Sequence, residues 1–114
     1  MKLKTIIENI ENIKALQEVK LPVKASFKMK KIINALQPDL KIYDEKRGEL
    51  IKEYGTEKED GKFNVPKENW EEFAKKTNEL LAVEIEDNWG KIKIEELEDI
   101  KIEPKLLLDF VFND

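Results

Sequence analysis

Cysteine and histidine are both absent from the 114 residues of this chain. Their absence excludes disulfides, thiolate or imidazole zinc sites, haem ligation, and the Ser-His-Asp and Cys-His types of catalysis. Long apolar runs are missing too, since no stretch approaches the roughly 20 residues that a membrane-spanning helix needs. Residues 1–4 lead into charged sequence rather than into the apolar region of a signal peptide. We therefore expect a cytosolic protein with no membrane association.

Arginine, glycine and proline are scarce. Arg47 is the single arginine beside 20 lysines, and there are four glycines and four prolines. A surface that carries lysine alone lacks the planar guanidinium fork that reads phosphate and guanine best. The 25 acidic and 21 basic residues give a net charge of −4, and the charged and hydrophobic fractions are 40% each. This composition is typical of one globular domain rather than of a disordered chain.

Residues 5–20 have the apolar spacing of an amphipathic helix. The apolar stripe consists of Ile6, Ile10, Ile13 and Leu16. Thr5 and Glu8 form a capping-box pattern at the start of this helix, in which each side chain satisfies the other's backbone N–H. Pro22 drives the residue before it out of the helical conformation, so we expect the helix to end there.

A heptad row predicts a long second helix. Its members are Met29, Ile33, Leu36, Leu40, Tyr43, Arg47, Leu50 and Tyr54. The phase of the row continues unchanged across Pro38, which removes one backbone hydrogen bond, so we predict one kinked helix rather than two. Gly55 is the residue type favoured just past a helix end. Because the connection from the first helix is short, the two helices should form an antiparallel hairpin.

A polar loop with a turn at Asp60–Gly61 separates the second helix from a third one at about residues 66–81, which begins with a proline. Beyond it the apolar period changes from 3.6 to 2. Apolar and charged residues alternate in 83–86 and in 91–94, which predicts two strands of a β-hairpin around residues 87–90. The register that pairs Ile85 with Ile92 places opposite charges together on the other face.

The remaining chain predicts a small edge strand and a last helix. Ile100 and Ile102 are placed to extend the sheet, and Pro104 suits the first turn of a short C-terminal helix. The predicted fold class is α+β. It consists of an antiparallel helical hairpin with a long kinked second helix, a third helix, a small antiparallel sheet and a short C-terminal helix. Residues 1–114 form a single domain, with a helical part at about 1–81 and the hairpin and last helix at about 82–114.

An aromatic residue and a run of carboxylates give the first candidate binding surface. Trp89 lies at the predicted hairpin tip, where an exposed aromatic is a typical interface anchor. The carboxylates that follow are Glu95, Glu96, Glu98 and Asp99. Together they fit a surface that docks on a basic protein groove. The alternative is that Trp89 folds back over the third helix and the carboxylates only keep the protein soluble.

The second candidate surface is a basic stripe formed by Lys20, Lys24, Lys28 and Lys31, at spacings of four, four and three residues. Such a stripe can follow a phosphate backbone or an acidic partner, although an ordinary solvent-facing helix surface looks the same. Arg47 is unexpected in an apolar row. It is either a buried anchor paired with a carboxylate or a side chain whose stem packs while its head stays in water.

Four segments resemble a known family. They are residues 21–27 (LPVKASF), 43–55 (YDEKRGELIKEYG), 60–62 (DGK) and 102–107 (IEPKLL). In these segments the chain resembles small proteins encoded in phages and prophages of low-GC Gram-positive bacteria. The resemblance implies a phage source and therefore the host cytoplasm as location. It supplies no catalytic residues, and it favours a structural role for Arg47.

No catalytic, metal or cofactor residues can be assigned, so we predict a non-enzymatic protein that binds another protein, from the host or the phage. One form of this function is a stoichiometric inhibitor of a host defence protein. An alternative is an accessory protein in tail or capsid assembly, with the heptad row as an oligomer interface. A third hypothesis is a weak nucleic-acid binder that uses the lysine stripe, against which the net charge of −4 argues. We expect a monomer, because the first and third helices should cover the heptad row.

Overall fold

Four α-helices and two short two-stranded sheets make up an α+β fold. The computed structural model describes residues 1–114. The helices are α1 (Leu3–Glu8), α2 (Ile10–Glu18), α3 (Val23–Tyr54) and α4 (Trp70–Leu81). The strands are β1 (Thr56–Glu57), β2 (Phe63–Asn64), β3 (Ile92–Lys93) and β4 (Phe112–Asn113). Single 3-10 turns occur at Lys67–Asn69, Ile94–Leu97 and Pro104–Leu106.

Helix α3 is the longest element, with 32 residues, and it continues through Pro38 as the unbroken apolar row predicts. Its length of about 48 Å accounts for most of the 53 Å long dimension of the molecule. The row is buried only in its first half, at Met29, Ile33 and Leu36, and its later apolar members are half-buried. The hydrophobic core therefore covers only the first part of α3.

The predicted first helix is broken into two at Asn9. The side-chain amide of Asn9 donates a hydrogen bond to the carbonyl of Thr5 at 2.8 Å, and asparagine side chains that bond to nearby backbone compete with a continuous helix. The predicted capping box is wrong, because Thr5 lies inside α1 rather than at its start. Helix α2 runs antiparallel to α3. Leu16 lines a groove with Met29, and Ile10 lines a groove with Leu40.

Helix α4 runs back along the second half of α3. At its start, Asn69 Nδ2 donates to the carbonyl oxygen of Tyr54 at 2.8 Å, and the Tyr54 and Phe73 rings meet edge to face with centroids 6.3 Å apart. At its end, the chain reaches the N-terminal segment, where Leu3 N donates to Val83 O at 2.9 Å. No residue of α4 is fully buried, so this helix braces α3 without forming a second core.

The predicted β-hairpin between residues 83–86 and 91–94 is wrong. Glu84 forms an isolated antiparallel bridge with Lys2 instead, and β3 pairs in parallel with β4, with Ile92 opposite Phe112. Alternation of period 2 indicates an extended segment with one buried face, but it does not identify the strand that pairs with it. Here each half of the predicted hairpin pairs with a chain segment remote in sequence.

The predicted C-terminal helix and edge strand are also wrong. Pro104 begins only a 3-10 turn, and residues 100 and 102 belong to no strand. Phe110, Val111 and Phe112 are all buried. Three successive buried residues cannot lie on one face of an α-helix, since each is turned about 100° from the last. An irregular segment that ends in β4 buries them all.

A single cluster of 14 buried residues forms the core. It draws on α1, α2, the first half of α3 and the C-terminal segment around β3 and β4. The molecule is elongated as a result. Its radius of gyration is 17.6 Å, against about 13 Å for a compact domain of this length. Its accessible surface is 8296 Å², against about 6,500 Å² for a typical monomer of this mass.

Candidate functional site

The acidic run and the first three lysines of the basic stripe predicted from the sequence lie opposite each other as the walls of one trough. The trough runs between the start of α3 and residues 93–100, as three adjoining hollows of which the largest measures about 560 Å³. We call it the charged trough. Its basic wall consists of Lys20, Lys24 and Lys28, and its acidic wall consists of Glu95, Glu96, Glu98 and Asp99.

The helical repeat and the burial of two apolar residues build these walls. Lys24 and Lys28 are one turn apart on α3 and so share a face. Strand β3 and the turn that follows it pack on α3, held there by the buried side chains of Ile92 and Leu97. Anchoring Leu97 in the core leaves the carboxylates on either side of it at the surface, where they face the lysines.

The end of the acidic wall contains a strained residue. Glu98 has a φ of +55° and is the one non-glycine residue with positive φ. Such a conformation costs of order 1–3 kcal/mol and is more common at functional sites than elsewhere. Immediately after the buried Leu97, this conformation reverses the chain, and Glu98 and Asp99 line the far end of the trough beside Lys20.

One ion pair joins the two walls. Lys28 Nζ donates to Glu96 Oε1 at 2.6 Å, and the backbone N–H of Lys93 donates to the same oxygen at 3.1 Å. The Lys28 hydrogen bond, helped by that of Lys93, lowers the pKa of the Glu96 carboxyl, while its partial burial opposes the shift. The side chains of Lys28 and Glu96 are 34% and 14% exposed.

The other charges of the trough are unpaired. Lys20, Lys24, Glu95, Glu98 and Asp99 make no ion pair within 4.0 Å, although they line the same hollows. The lysine and carboxylate heads therefore stay available to a partner. The Lys28–Glu96 pair is the one ion pair that connects the two walls.

Two large apolar side chains stand at the lip of the trough. Val23 is 86% exposed and Phe27 is 67% exposed. They lie one turn apart on α3, beside the basic wall. On the next turn, Lys31 Nζ lies 5.9 Å from the centroid of the Phe27 ring, within the range of a cation–π contact. An apolar strip bordered by charges of both signs is thus presented to solvent.

Val23 and Phe27 were not among the candidate binding residues predicted from the sequence. They lie off the buried stripe of α3 and on the side that carries Lys24, Lys28 and Lys31. The sequence already contained this information. Two apolar residues one turn apart, on the lysine-bearing side of a helix, lie away from the buried stripe and are therefore expected to be exposed.

Trp89 does not belong to the trough. Its predicted position at an exposed hairpin tip is wrong, because the hairpin is absent and the side chain is half-buried against the core. The indole Nε1–H donates to the carbonyl oxygen of Phe110 at 2.7 Å. Trp89 thus secures the C-terminal segment, and the alternative in which it covers the third helix is wrong as well.

Arg47 is not the buried anchor that was one of its two predicted roles. Its side chain is exposed and forms no ion pair, so the interpretation as a buried anchor is wrong. Elsewhere, no three carboxylates are placed to hold a metal ion, and none of the helices is both long and apolar enough to cross a membrane. The charged trough brings together the predicted carboxylates and three of the four predicted lysines, without Trp89 and Lys31.

Comparison with protein-family models, with curated proteins and with solved structures gives no match to this chain.

Proposed function

We propose that this chain is a non-enzymatic protein-binding module and that it binds its partner in the charged trough. The observation that carries the proposal is the exposure of Phe27 beside unpaired charges on both walls. Protein interfaces have this composition, with an aromatic or aliphatic anchor at the centre and a polar rim that excludes water and rejects wrong partners.

The extent of the surface supports the same proposal. The accessible surface of 8296 Å² exceeds that of a typical monomer by about 1,800 Å². A standard protein interface buries about 800 Å² on each partner, so an elongated molecule of this kind has ample area for one. The preformed walls also reduce the entropy lost on binding, since the Lys28–Glu96 pair already holds them.

Two more specific roles follow as alternatives. A phage source, suggested by the resemblance, would make the module a stoichiometric inhibitor of a host defence protein or an accessory of tail or capsid assembly, acting in the host cytoplasm. The elongated shape of 53 × 29 × 22 Å favours assembly, because a rod presents separate surfaces at its two ends. Nucleic acid is disfavoured, since the acidic wall faces the lysines that would contact phosphates.

A photo-crosslinking amino acid tests the proposal. Introduced in place of Phe27, it should give a discrete crosslinked product in cells of the protein's natural source. The matched control replaces Phe63, an aromatic residue of β2 near the other end of α3. A product at position 27 that is missing at position 63 and is lost on adding Lys24→Glu supports the proposal. No product at position 27, or equal products at both positions, contradicts it.

A further inference from the structure

We infer that the partner of the charged trough is a second copy of this chain, joined through a twofold axis that brings the two troughs face to face. This inference rests on the proposed function and names the partner of the same site. In such a dimer the basic wall of each copy meets the acidic wall of the other, and the Val23–Phe27 strip of each copy is covered by the other copy.

Charge complementarity is the first argument. A twofold interface uses the same patch on both subunits, so the patch must complement itself. The charged trough meets this condition because it has both a basic and an acidic wall. Rotation by 180° places the unpaired Lys20 and Lys24 of one copy against the unpaired Glu98 and Asp99 of the other. A partner with charge of one sign would be repelled by one of the walls.

The local charge balance is the second argument. The chain as a whole carries −4, which opposes the approach of two copies over most of the surface. The trough and the adjoining turn are nearly neutral, with five lysines against four carboxylates. The lysines are Lys20, Lys24, Lys28, Lys31 and Lys93. Two copies therefore meet with the least repulsion where their apolar strips are exposed.

Burial of the apolar strip provides the driving force. Val23 and Phe27 are 86% and 67% exposed in the single chain, and covering them removes apolar surface from water. Phe27 lies between the unpaired Lys24 on the preceding turn and Lys31 on the following one. The ion pairs of the rim then set the register of the two copies, while the aromatic contact supplies most of the affinity.

This dimer surface differs from the one the heptad row suggested. Met29, Ile33 and Leu36 are already buried within one chain, so the first half of the row is closed to a second copy. The sequence favoured a monomer because the row would be covered internally. Val23 and Phe27 project from a different face of α3, which neither the first nor the third helix covers.

A charge-swap experiment tests the inference. Sedimentation equilibrium over roughly 1–100 μM protein, a range that detects micromolar dissociation constants, should show twice the mass of one chain. Lys24→Glu and Glu98→Lys should each give a monomer, because each places like charges together at both halves of the interface. An equimolar mixture of the two variants should restore the dimer, since the reversed charges complement each other across it. Circular dichroism verifies that each variant is folded.

Matched controls and contrary outcomes complete the test. Lys52→Glu and Glu53→Lys make the same charge changes in the last turn of α3, where both residues are exposed, and should leave the dimer intact. A wild-type mass of one chain throughout overturns the inference, as does a dimer that survives both reversals or a mixture that stays monomeric. If the position 27 crosslink then joins a different protein, the proposed function stands without the dimer. If there is no crosslink either, both are rejected.

Discussion

Lys28 Nζ lies 2.6 Å from Glu96 Oε1, although the two residues are 68 positions apart in the chain. This ion pair ties the start of α3 to the turn after β3. The backbone N–H of Lys93 donates to the same carboxylate oxygen, so Glu96 is held from two sides. The pair therefore connects the two walls of the charged trough.

Acid should weaken the Lys28–Glu96 ion pair. The pKa of Glu96 is lower in the folded chain than its ordinary value, so the carboxylate stabilises the fold at pH values above the ordinary carboxyl pKa of about 4.3. That contribution is lost as the pH falls through the lowered, folded-state pKa. Glu96→Gln should lower the melting temperature at pH 7, and the difference from the wild type should shrink as the pH falls below the ordinary carboxyl pKa.

The control for this prediction is Glu95→Gln. Glu95 is an exposed neighbour that makes no ion pair, so its substitution should leave the melting temperature close to that of the wild type at pH 7. A loss of stability for Glu96→Gln that is as large at pH 3 as at pH 7 would show that the carboxylate charge is not the cause.

Trp89 should be important for stability rather than for binding. Removing the half-buried indole by Trp89→Ala should cost about 2–4 kcal/mol, somewhat below the range for fully buried aromatics. Trp89→Phe keeps most of the apolar area and removes the hydrogen bond to Phe110, which is worth about 1 kcal/mol. Urea unfolding measures both. A Trp89→Ala variant of wild-type stability would return this residue to the list of binding candidates.

The helices were the predictable part of the fold. The spacing of apolar residues indicated α2, α3 and α4, since helical periodicity is a local property of the sequence. The pairing of the short strands was not predictable. β3 has only two residues, and its partner β4 lies about twenty positions away. The local pattern indicates that Ile92 faces inward. Its pairing with Phe112 depends instead on the burial of residues 110–112, which the local pattern does not show.

The candidate site also has a part that was predictable from local sequence and a part that was not. The lysine stripe and the acidic run were found separately, because each is regular within its own segment. Their convergence into one trough depends on β3 packing against α3, which involves contacts remote in sequence. Trp89 misled for the same reason. Its predicted exposure depended on a hairpin whose register fitted the local charges, whereas tertiary pairing with residues 1–3 and with β4 prevailed.

Nucleic-acid binding should be weak. Affinity for duplex DNA depends on the number of phosphates contacted, and four aligned lysines give a salt slope of at most about −4. In the structure Lys28 is already paired with Glu96, and the acidic wall faces Lys20 and Lys24. We expect no submicromolar binding of duplex DNA or RNA at about 150 mM salt in a fluorescence anisotropy titration. Submicromolar binding that Lys24→Glu abolishes would favour the lysine stripe as the functional surface.

The buried fraction of the side chains decreases along the heptad row of α3, so substitutions early in the row should destabilise the protein more than substitutions late in it. Leu36 is fully buried, so Leu36→Ala should cost about 3 kcal/mol for the lost apolar contact and the cavity left behind. Arg47 lies on the same row but is exposed, and Arg47→Ala should change stability by less than about 0.5 kcal/mol. Urea unfolding of the two variants compares them directly. A large loss for Arg47→Ala would indicate that a partner chain or a buried pair uses the guanidinium.

Replacement by alanine should change the stability of the protein in opposite directions at two glycines, one inside α3 and one just past its end. Gly48 lies inside the helix, and a Cβ there would meet no atom within 4 Å. Gly48→Ala should therefore stabilise the protein by about 0.5–1 kcal/mol, because alanine loses less backbone entropy in a helix. Gly55 follows the last residue of α3 with a φ of −99°, so it is not there for a left-handed conformation.

The reason for Gly55 is space. A Cβ at this position would press on the carbonyl oxygen of Ile51 and lie 3.3 Å from that of Asn64. Both are backbone atoms, and the closer one belongs to the last turn of α3, so Gly55→Ala forces the backbone at the end of α3 to shift, at a cost of about 1–3 kcal/mol. Thermal unfolding of the two alanine variants measures the contrast. Equal stabilisation by both would mean that the backbone at the end of α3 shifts freely to make room for the added Cβ atom.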